Sequence, residues 1–281
     1  MEWWGHAGMF AADGYSSAAQ DYINRVIAAD VAAGNTLGLE VGAKNAYAAF
    51  IDGLIADGLL GTSGGVISQA NSVIKAACIM AGAQTVSGCL VPLVGTAPTN
   101  NGFISADYNR KTGLIGNASS KYLDSNRANN ADPQNSQHMA VWQSTAPTGD
   151  IKAYMGDLSG SNAGRSYFYR FAANAIAFSS RVTSEASTAG VTPPSNSMLG
   201  MSRTSSSGYT YRLNSTTYTA TATSATPTTG SIHIFRLNRT SGDFVYSGPR
   251  LGFYSIGEGL ALATLNARLS TLFADLAAAI P

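Results

Sequence analysis

From about residue 77 onward the sequence breaks into short apolar or alternating runs, parted by Gly, Asn, Ser and Pro. In order they are CIMAGA, CLVPLVG, FISADYN, GLIGN, MAVWQS, IKAYMG, SYFYRFA, AIAFSS, MLGMSR, YTYRLN, TYTATATS, SIHIFRLN and RLGFYSIG. Such runs are too short for helices and too close together for strand–helix–strand units, so they predict a β-sandwich. The clearest is YTYRLNSTTYTATATS, where Tyr209, Tyr211 and Leu213 alternate, LNST turns the chain, and Thr and Ala alternate after it. Pro193, Pro194 and Pro227 fall between runs, where a missing backbone donor does no harm.

The two ends have a different period. Tyr22, Ile23, Val26, Ile27 and Val31 recur at steps that suit a helix capped by Ser16 or Ser17. A second helix is expected from about Leu39, with Tyr47, Phe50, Ile51, Leu54 and Ile55 on one face, and a short third over Ile67 to Ala76. Leu262, Leu265, Leu269, Leu272, Phe273, Leu276 and Ile280 predict an amphipathic helix from about Gly259. The organisation read from this is a helical anchoring or oligomerisation region at 1–70, a β-sandwich at 71–258 and a helix at 259–281 that packs on the sandwich or on the N-terminal helices. The first two stripes must be buried on the following domain or on a neighbouring subunit.

Charged residues are 12% of the chain, about half the usual share, and the formal net charge is +1. No Lys/Arg run exceeds two residues, so the basic stripe of a nucleic-acid-binding protein is missing. Residues 76–106 carry no charge, but Gln84, Thr85, Ser87, Pro92 and Pro98 interrupt them, and no membrane insertion is expected. MEWWGHAGMF lacks the positive start and apolar core of a signal peptide. Cys78 and Cys89 suit two small apolar core residues, with a single bridge left open.

Motifs for chemistry are few. His6, His138 and His233 stand apart, and the alternation in SIHIF puts His233 on the sheet face opposite Ile232 and Ile234. There is no HExxH, GxSxG or phosphate loop. Glycoside hydrolysis needs two facing carboxylates. Glu2, Glu40, Glu185 and Glu258 are scattered, and Asp107, Asp124, Asp132, Asp150 and Asp157 form no alternating acid pair. The expectation is therefore a protein that is not an enzyme.

The stretch KYLDSNRANNADPQNSQH, residues 121–138, is the densest in polar groups. Asp124, Asn126 and Asp132, with Asn129 and Asn130, could offer oxygens to Ca2+, which takes six to eight. A saccharide needs amides and an aromatic face, which Tyr122, Asn126, Asn129, Asn130 and Trp142 could supply. The plainer alternative is that Asn and Asp make side-chain turns and Pro133 stiffens the bend on the way into MAVWQS.

Over DYNRKTGLIGNASSKYLDSNRANNADPQNSQHMAVW the sequence resembles a family of tailed-bacteriophage structural proteins of fibre, spike or decoration type. IKAACIMAGAQTVSGCLVPLVGTAPTNNGF, LGFYSIGEGLALATLNARLSTL and AADVAAGNTLGLEVGAKNAYAAFIDGLIADG resemble it too, while MEWWGHAGMF lies outside the resemblance. The resemblance implies a mainly β fold, a concanavalin-A-like (laminin-G-like) jelly-roll sandwich with an N-terminal helical region and a C-terminal amphipathic helix. It brings no catalytic residues. It implies a place on the virion surface, on head or tail, after assembly in the host cytoplasm, with other virion proteins and a homo-oligomer, a trimer, as partners. The expected function is a lectin-like fibre or spike subunit that adheres to host surface polysaccharide. The alternatives are a purely architectural decoration or cement protein and, behind both, a polysaccharide depolymerase.

Overall fold

The computed structural model describes residues 14–149, 152–160, 163–172, 175–189, 194–213, 215–241 and 245–281. MEWWGHAGMF with His6, and also Asp150, Pro193 and Asn214 of the LNST turn, lie outside the described residues.

Helix α1 (Ser17–Ala32) starts where Ser16 Oγ accepts the Ala19 N–H at 3.2 Å. Helix α2 (Val41–Ala56) follows. A hairpin of β1 (Gly61–Ser63) and β2 (Val66–Ser68) comes next, and where a third helix was expected over Ile67 to Ala76 stand the end of β2, a turn and the start of strand β3 (Ile74–Ile79). The apolar spacing there suited a helix. The Ser72 hydroxyl, however, accepts from Gly61 N and donates to Ser68 O, which fixes a turn there, while Gly64 and Gly65, with φ of 60° and 84°, make the bend of the hairpin before it. A helical turn α3 (Val86–Cys89) precedes β4 (Pro92–Val94) and β5 (Thr99–Asn101). In FISADYN, Ser105–Asp107 is one 3-10 turn rather than strand.

Then come β6 (Tyr108–Asn109), β7 (Gly113–Ile115), β8 (Tyr122–Ala128), β9 (Gln137–Thr145), β10 (Lys152–Leu158), β11 (Arg165–Ala172), β12 (Ala175–Val182) and β13 (Ala186–Ala189). After these run β14 (Ser197–Arg203), β15 (Gly208–Leu213), β16 (Thr216–Thr221), β17 (Ser231–Ile234), β18 (Leu237–Arg239), β19 (Arg250–Gly257) and helix α4 (Leu262–Ala279). The hairpin read in YTYRLNSTTYTATATS is β15–β16, with Tyr211 opposite Tyr218.

Two mainly antiparallel sheets form the sandwich. One has the order β16-β15-β14-β9-β19-β3-β4, with β7 on β19. The other has the order β13-β12-β11-β10-β17-β8-β5, with β18 parallel to β10. Between them Phe178 stacks on Phe168 of its own sheet and on Tyr211 of the other, with ring centroids 5.6 Å and 4.8 Å apart.

The helices cover the outer face of the first sheet. Trp142 of β9 stacks on Phe273 of α4, with centroids 4.9 Å apart and the planes 3° from parallel. Phe253 of β19 meets Phe50 of α2 edge-on at 5.8 Å. The register sets Ala140 between Gly200 and Ser255, a row of small residues on that same face, so the helices approach closely. The whole of Gln137–Ser144 is therefore buried, which is why MAVW reads as a continuous apolar run rather than an alternation.

Tyr22, Ile23 and Val26 of α1 and Tyr47, Phe50, Ile51 and Leu54 of α2 are buried within this chain, whereas Val31 is exposed. Tyr22 and Tyr47 pack edge-on at 5.4 Å, and Tyr47 Oη donates to Ala81 O at 2.5 Å. Asp30 is buried at the α1 end, where its carboxylate accepts from Gln84 N (2.9 Å), Thr85 N (2.8 Å) and Thr85 Oγ1 (2.7 Å). Cys78 and Cys89 are free and buried, and burial pushes the Cys78 thiol up to about 12. Among the described residues no helix is long and apolar enough to cross a membrane.

Candidate functional site

The polar stretch 121–138 divides between strand and loop. In β8 the pleat buries Leu123 and Ser125 and turns Tyr122 and Asp124 to the outer face of the second sheet. Asp124 accepts from Ser231 Oγ and from Asn126 N at 2.9 Å, and lies 3.5 Å from His233 Nε2. Burial raises its carboxyl pKa, but the hydrogen bonds from His233 and Ser231 outweigh that and hold it at about 2. Arg236 donates to His233 Nδ1 at 3.1 Å and 2.8 Å, which leaves Nε2 facing Asp124. The same guanidinium sits 3.6 Å from the Tyr122 ring centroid. His233 does lie opposite Ile232 and Ile234, but buried in this stack.

The other residues singled out in the sequence are dispersed. Asn126 takes φ 55° and donates to Ala97 O at 2.8 Å. Asn129 is buried and joins Gly164 O, Thr228 Oγ1 and Gln137 Nε2, each at 2.8 Å. Asn130 is exposed. Asp132 is buried and paired with Arg127, whose Nε lies 3.1 Å from it. Trp142 is 4% exposed on the other sheet, beneath α4. The five residues considered for a saccharide are thus not brought to one place. The three considered for Ca2+ have separate protein partners, and among the described residues no three His, Cys, Asp or Glu side chains converge on a metal position. The loop instead ties the sheets: Arg181 donates to Pro133 O and, at 2.5 Å, to Asn129 O.

What the structure does assemble is a groove of about 480 Å³ on the outer face of the second sheet. Strand β11 builds one wall. Its inward residues Ser166, Phe168 and Arg170 are buried, and its outward ones are Tyr167, itself only 3% exposed, and the half-buried Tyr169 and Phe171. Neighbouring rings along this row are 5.7 Å and 6.2 Å apart. Gly156 of β10 faces Tyr167 across the ladder, where a Cβ would overlap it, so the glycine makes room for the row. Leu158, Leu237 and Val245 form the floor with buried Ala153.

Charge is placed at the edges. Arg165 opens β11, and its guanidinium is 5.4 Å from the Tyr167 ring centroid. Arg239 stands beside Leu158 through the parallel β10–β18 pairing. Glu185, in the turn between β12 and β13, accepts the Tyr167 hydroxyl at 2.7 Å. Burial, then Glu185, pushes the Tyr167 phenol well above its ordinary value, so it stays a neutral donor. A second hollow of about 530 Å³ adjoins, sharing Leu158, Arg165 and Arg239 and adding Gly160, Thr240 and Ser241.

Reading the sequence alone passed over this groove. SYFYRFA has aromatics on both faces, so alternation marks it as a strand without saying which rings leave the core. The usable signal was three rings at every second position, Tyr167, Tyr169 and Phe171, beside a fourth, Phe168, on the opposite parity.

No family model matches the chain, and no curated protein matches it. Solved structures do. A NanB sialidase mutant from Streptococcus pneumoniae matches with TM-score 0.40 and 13% identity over 48% of this chain, which spans 24% of the sialidase. The botulinum neurotoxin serotype D binding domain matches with TM-score 0.48 and 7% identity, over 71% of this chain and 51% of that one. The enzymatically active domain of tailspike protein 2 from bacteriophage CBA120 matches with TM-score 0.38 and 11% identity, over 60% and 28%. The expectation that the chain is not an enzyme is corrected on this finding, because sialidases and a tailspike enzymatic domain stand among the similar structures. At these identities and scores the likeness assigns this chain no reaction of its own.

Proposed function

We propose that the chain is a carbohydrate-binding adhesion module whose saccharide lies in the groove of the second sheet. The observation that carries this is the row Tyr167, Tyr169 and Phe171, set on a strand beside Arg165, Arg239 and Glu185. The apolar C–H faces of a sugar ring pack on aromatic rings, and its hydroxyls take hydrogen bonds from charged groups at the rim. The row rests on paired strands rather than a loop, so little order is lost on binding.

In the finer form of this proposal the module sits on the surface of a phage particle as a fibre or spike subunit. The sequence resemblance supports that form. Repeated copies in a homo-oligomer would turn weak single sites into firm adhesion to host polysaccharide.

The test is binding of the purified chain to a panel of bacterial surface polysaccharides by calorimetry, alongside Tyr169→Ala. Saturable binding that the substitution weakens about tenfold supports the reading. A folded protein that binds no polysaccharide at millimolar sites would overturn it. Light scattering of the same sample, with a mass of a single chain, would overturn the homo-oligomer.

A further inference from the structure

The homo-oligomer of the preceding reading needs a surface, and we propose that it is the edge strand β16, which pairs antiparallel with β16 of a second copy about a two-fold axis. The two sheets end on β16, β4, β13 and β5. An open sheet edge offers a row of unpaired N–H and C=O groups, and proteins blunt such edges with proline, charge, bulges or short strands. Three of these four ends are blunted. In β4, Pro92 has no donor, and its carbonyl accepts from Arg25 Nη1 at 2.7 Å. Strand β5 has three residues, and Asn101 Nδ2 donates to Thr99 O at 3.2 Å. Strand β13 has four residues.

Strand β16 has none of these devices. It is six residues long, TTYTAT, and pairs with β15 over its whole length without a register shift. It holds no proline, glycine or charge, and residues 213–232 hold no Lys, Arg, Asp or Glu. Thr216, Thr217, Thr219 and Thr221 are exposed, and among the described residues β16 pairs with β15 alone.

The occupant follows from self-complementarity. A charged edge repels its own copy, and an uncharged one does not. A strand paired antiparallel with itself gives both copies the same contacts, as a closed two-fold dimer requires. The pleat lets only like faces meet, so each register sets one residue opposite itself. With Thr219 on the axis, Thr217 meets Thr221, and Tyr218, which stacks on Tyr211 at 5.2 Å, meets the small Ala220. Arg212 of β15 donates to Thr217 Oγ1 at 2.6 Å, and this register holds the two copies of that contact roughly 13 Å apart along the strands, against roughly 7 Å with Tyr218 on the axis. A two-fold axis normal to the sheet turns the grooves of both copies towards one surface, the arrangement that two-site adhesion requires.

The experiment is sedimentation equilibrium of the full chain from about 1 to 100 μM, beside Thr219→Lys and Thr219→Glu, each first shown to melt as the parent does. The expected result is a parent that dimerises in this range and variants whose dissociation constants rise about tenfold or more, because each sets like charges opposite one another. Mixed in equal amounts, the two variants should regain a dimer that high salt weakens. Variants that associate as the parent does overturn the β16 pairing and leave the homo-oligomer standing. A parent of single-chain mass throughout overturns both, and a parent that closes as a trimer overturns the two-fold pairing. Calorimetry with one short oligosaccharide should give the same single-site affinity for all three proteins. Its failure in all three overturns the binding role, while the masses still decide the pairing.

Discussion

The outer faces of the two sheets are built on the same pleat and meet opposite fates. On the first sheet, Trp142 and Phe253 lie under Phe273 and Phe50, flanked by the small row Ala140, Gly200 and Ser255. On the second, Tyr167, Tyr169 and Phe171 line a groove, and no helix of the described residues lies upon them. Aromatics alone therefore do not mark a binding face. Small neighbours that admit a helix mark a face to be covered, and arginines at the edge mark one left open. The two histidines follow the same division. His138, on the first sheet, is fully enclosed, with Nδ1 donating to Glu258 O at 2.7 Å and Nε2 accepting from Ser255 at 3.0 Å. His233, on the second, is held in a charged stack with Asp124 and Arg236.

The comparison can be broken most sharply at the covered face. Phe273→Ala removes the ring that stacks on Trp142 and should cost about 3–5 kcal/mol, read by denaturant unfolding. Saccharide affinity should stay within error of the parent, because α4 packs on the first sheet and the groove lies on the second. A loss of affinity matching the loss of stability would show the two faces to be coupled.

Next in size is the pH dependence of His138. Burial lowers its pKa from 6.5 to about 4, against the opposing pull of the Glu258 carbonyl. The unfolded chain takes up this proton near pH 6.5 while the folded chain resists until near 4, so stability falls as pH drops through that window and is unaffected above it. The full gap corresponds to about 3 kcal/mol. Unfolding free energies at pH 7 and pH 4.5 that agree would refute the enclosed neutral ring.

Asp124 extends the contrast to lower pH. Its carboxyl is held at about 2 against an ordinary 3.8, so its contribution is present above pH 4 and is lost as pH falls towards 2. Asp124→Asn should lower stability most above pH 4, flatten the acid limb of the stability curve in that range and leave the slope between pH 4 and 7 unchanged. The smallest effect on stability belongs to the open face. Tyr169→Ala should cost about 1 kcal/mol or less of folding free energy while it removes most saccharide binding. A large destabilisation there would make Tyr169 a core residue and sink the groove as a site.

Much of the fold was legible because burial leaves a period in the sequence. The stripe of α4 from Leu262 to Leu276 and the β15–β16 alternation are one-face patterns, and each was found in its place. The helix expected over Ile67 to Ala76 gave way to the end of β2, a turn held by the Ser72 hydroxyl and the start of β3, because strand pairing outweighed a weak helical spacing. The candidate site was hardly legible at all. Trp142 and Asn129 have the right chemistry for a saccharide and are spent inside the protein, one under α4 and one between Gly164 and Gln137.

By itself the sequence determined that this chain is a β-sandwich flanked by helices, because periods of two and of about 3.6 are local properties of neighbouring residues. Only the tertiary structure decided which sheet the helices cover. That choice depends on the register that lines up Ala140, Gly200 and Ser255 from three separate strands. The groove was decided in the same way. Arg165, Glu185 and Arg239 come from three places in the chain, and strand pairing, which no local pattern encodes, is what brings their charges to one row of rings.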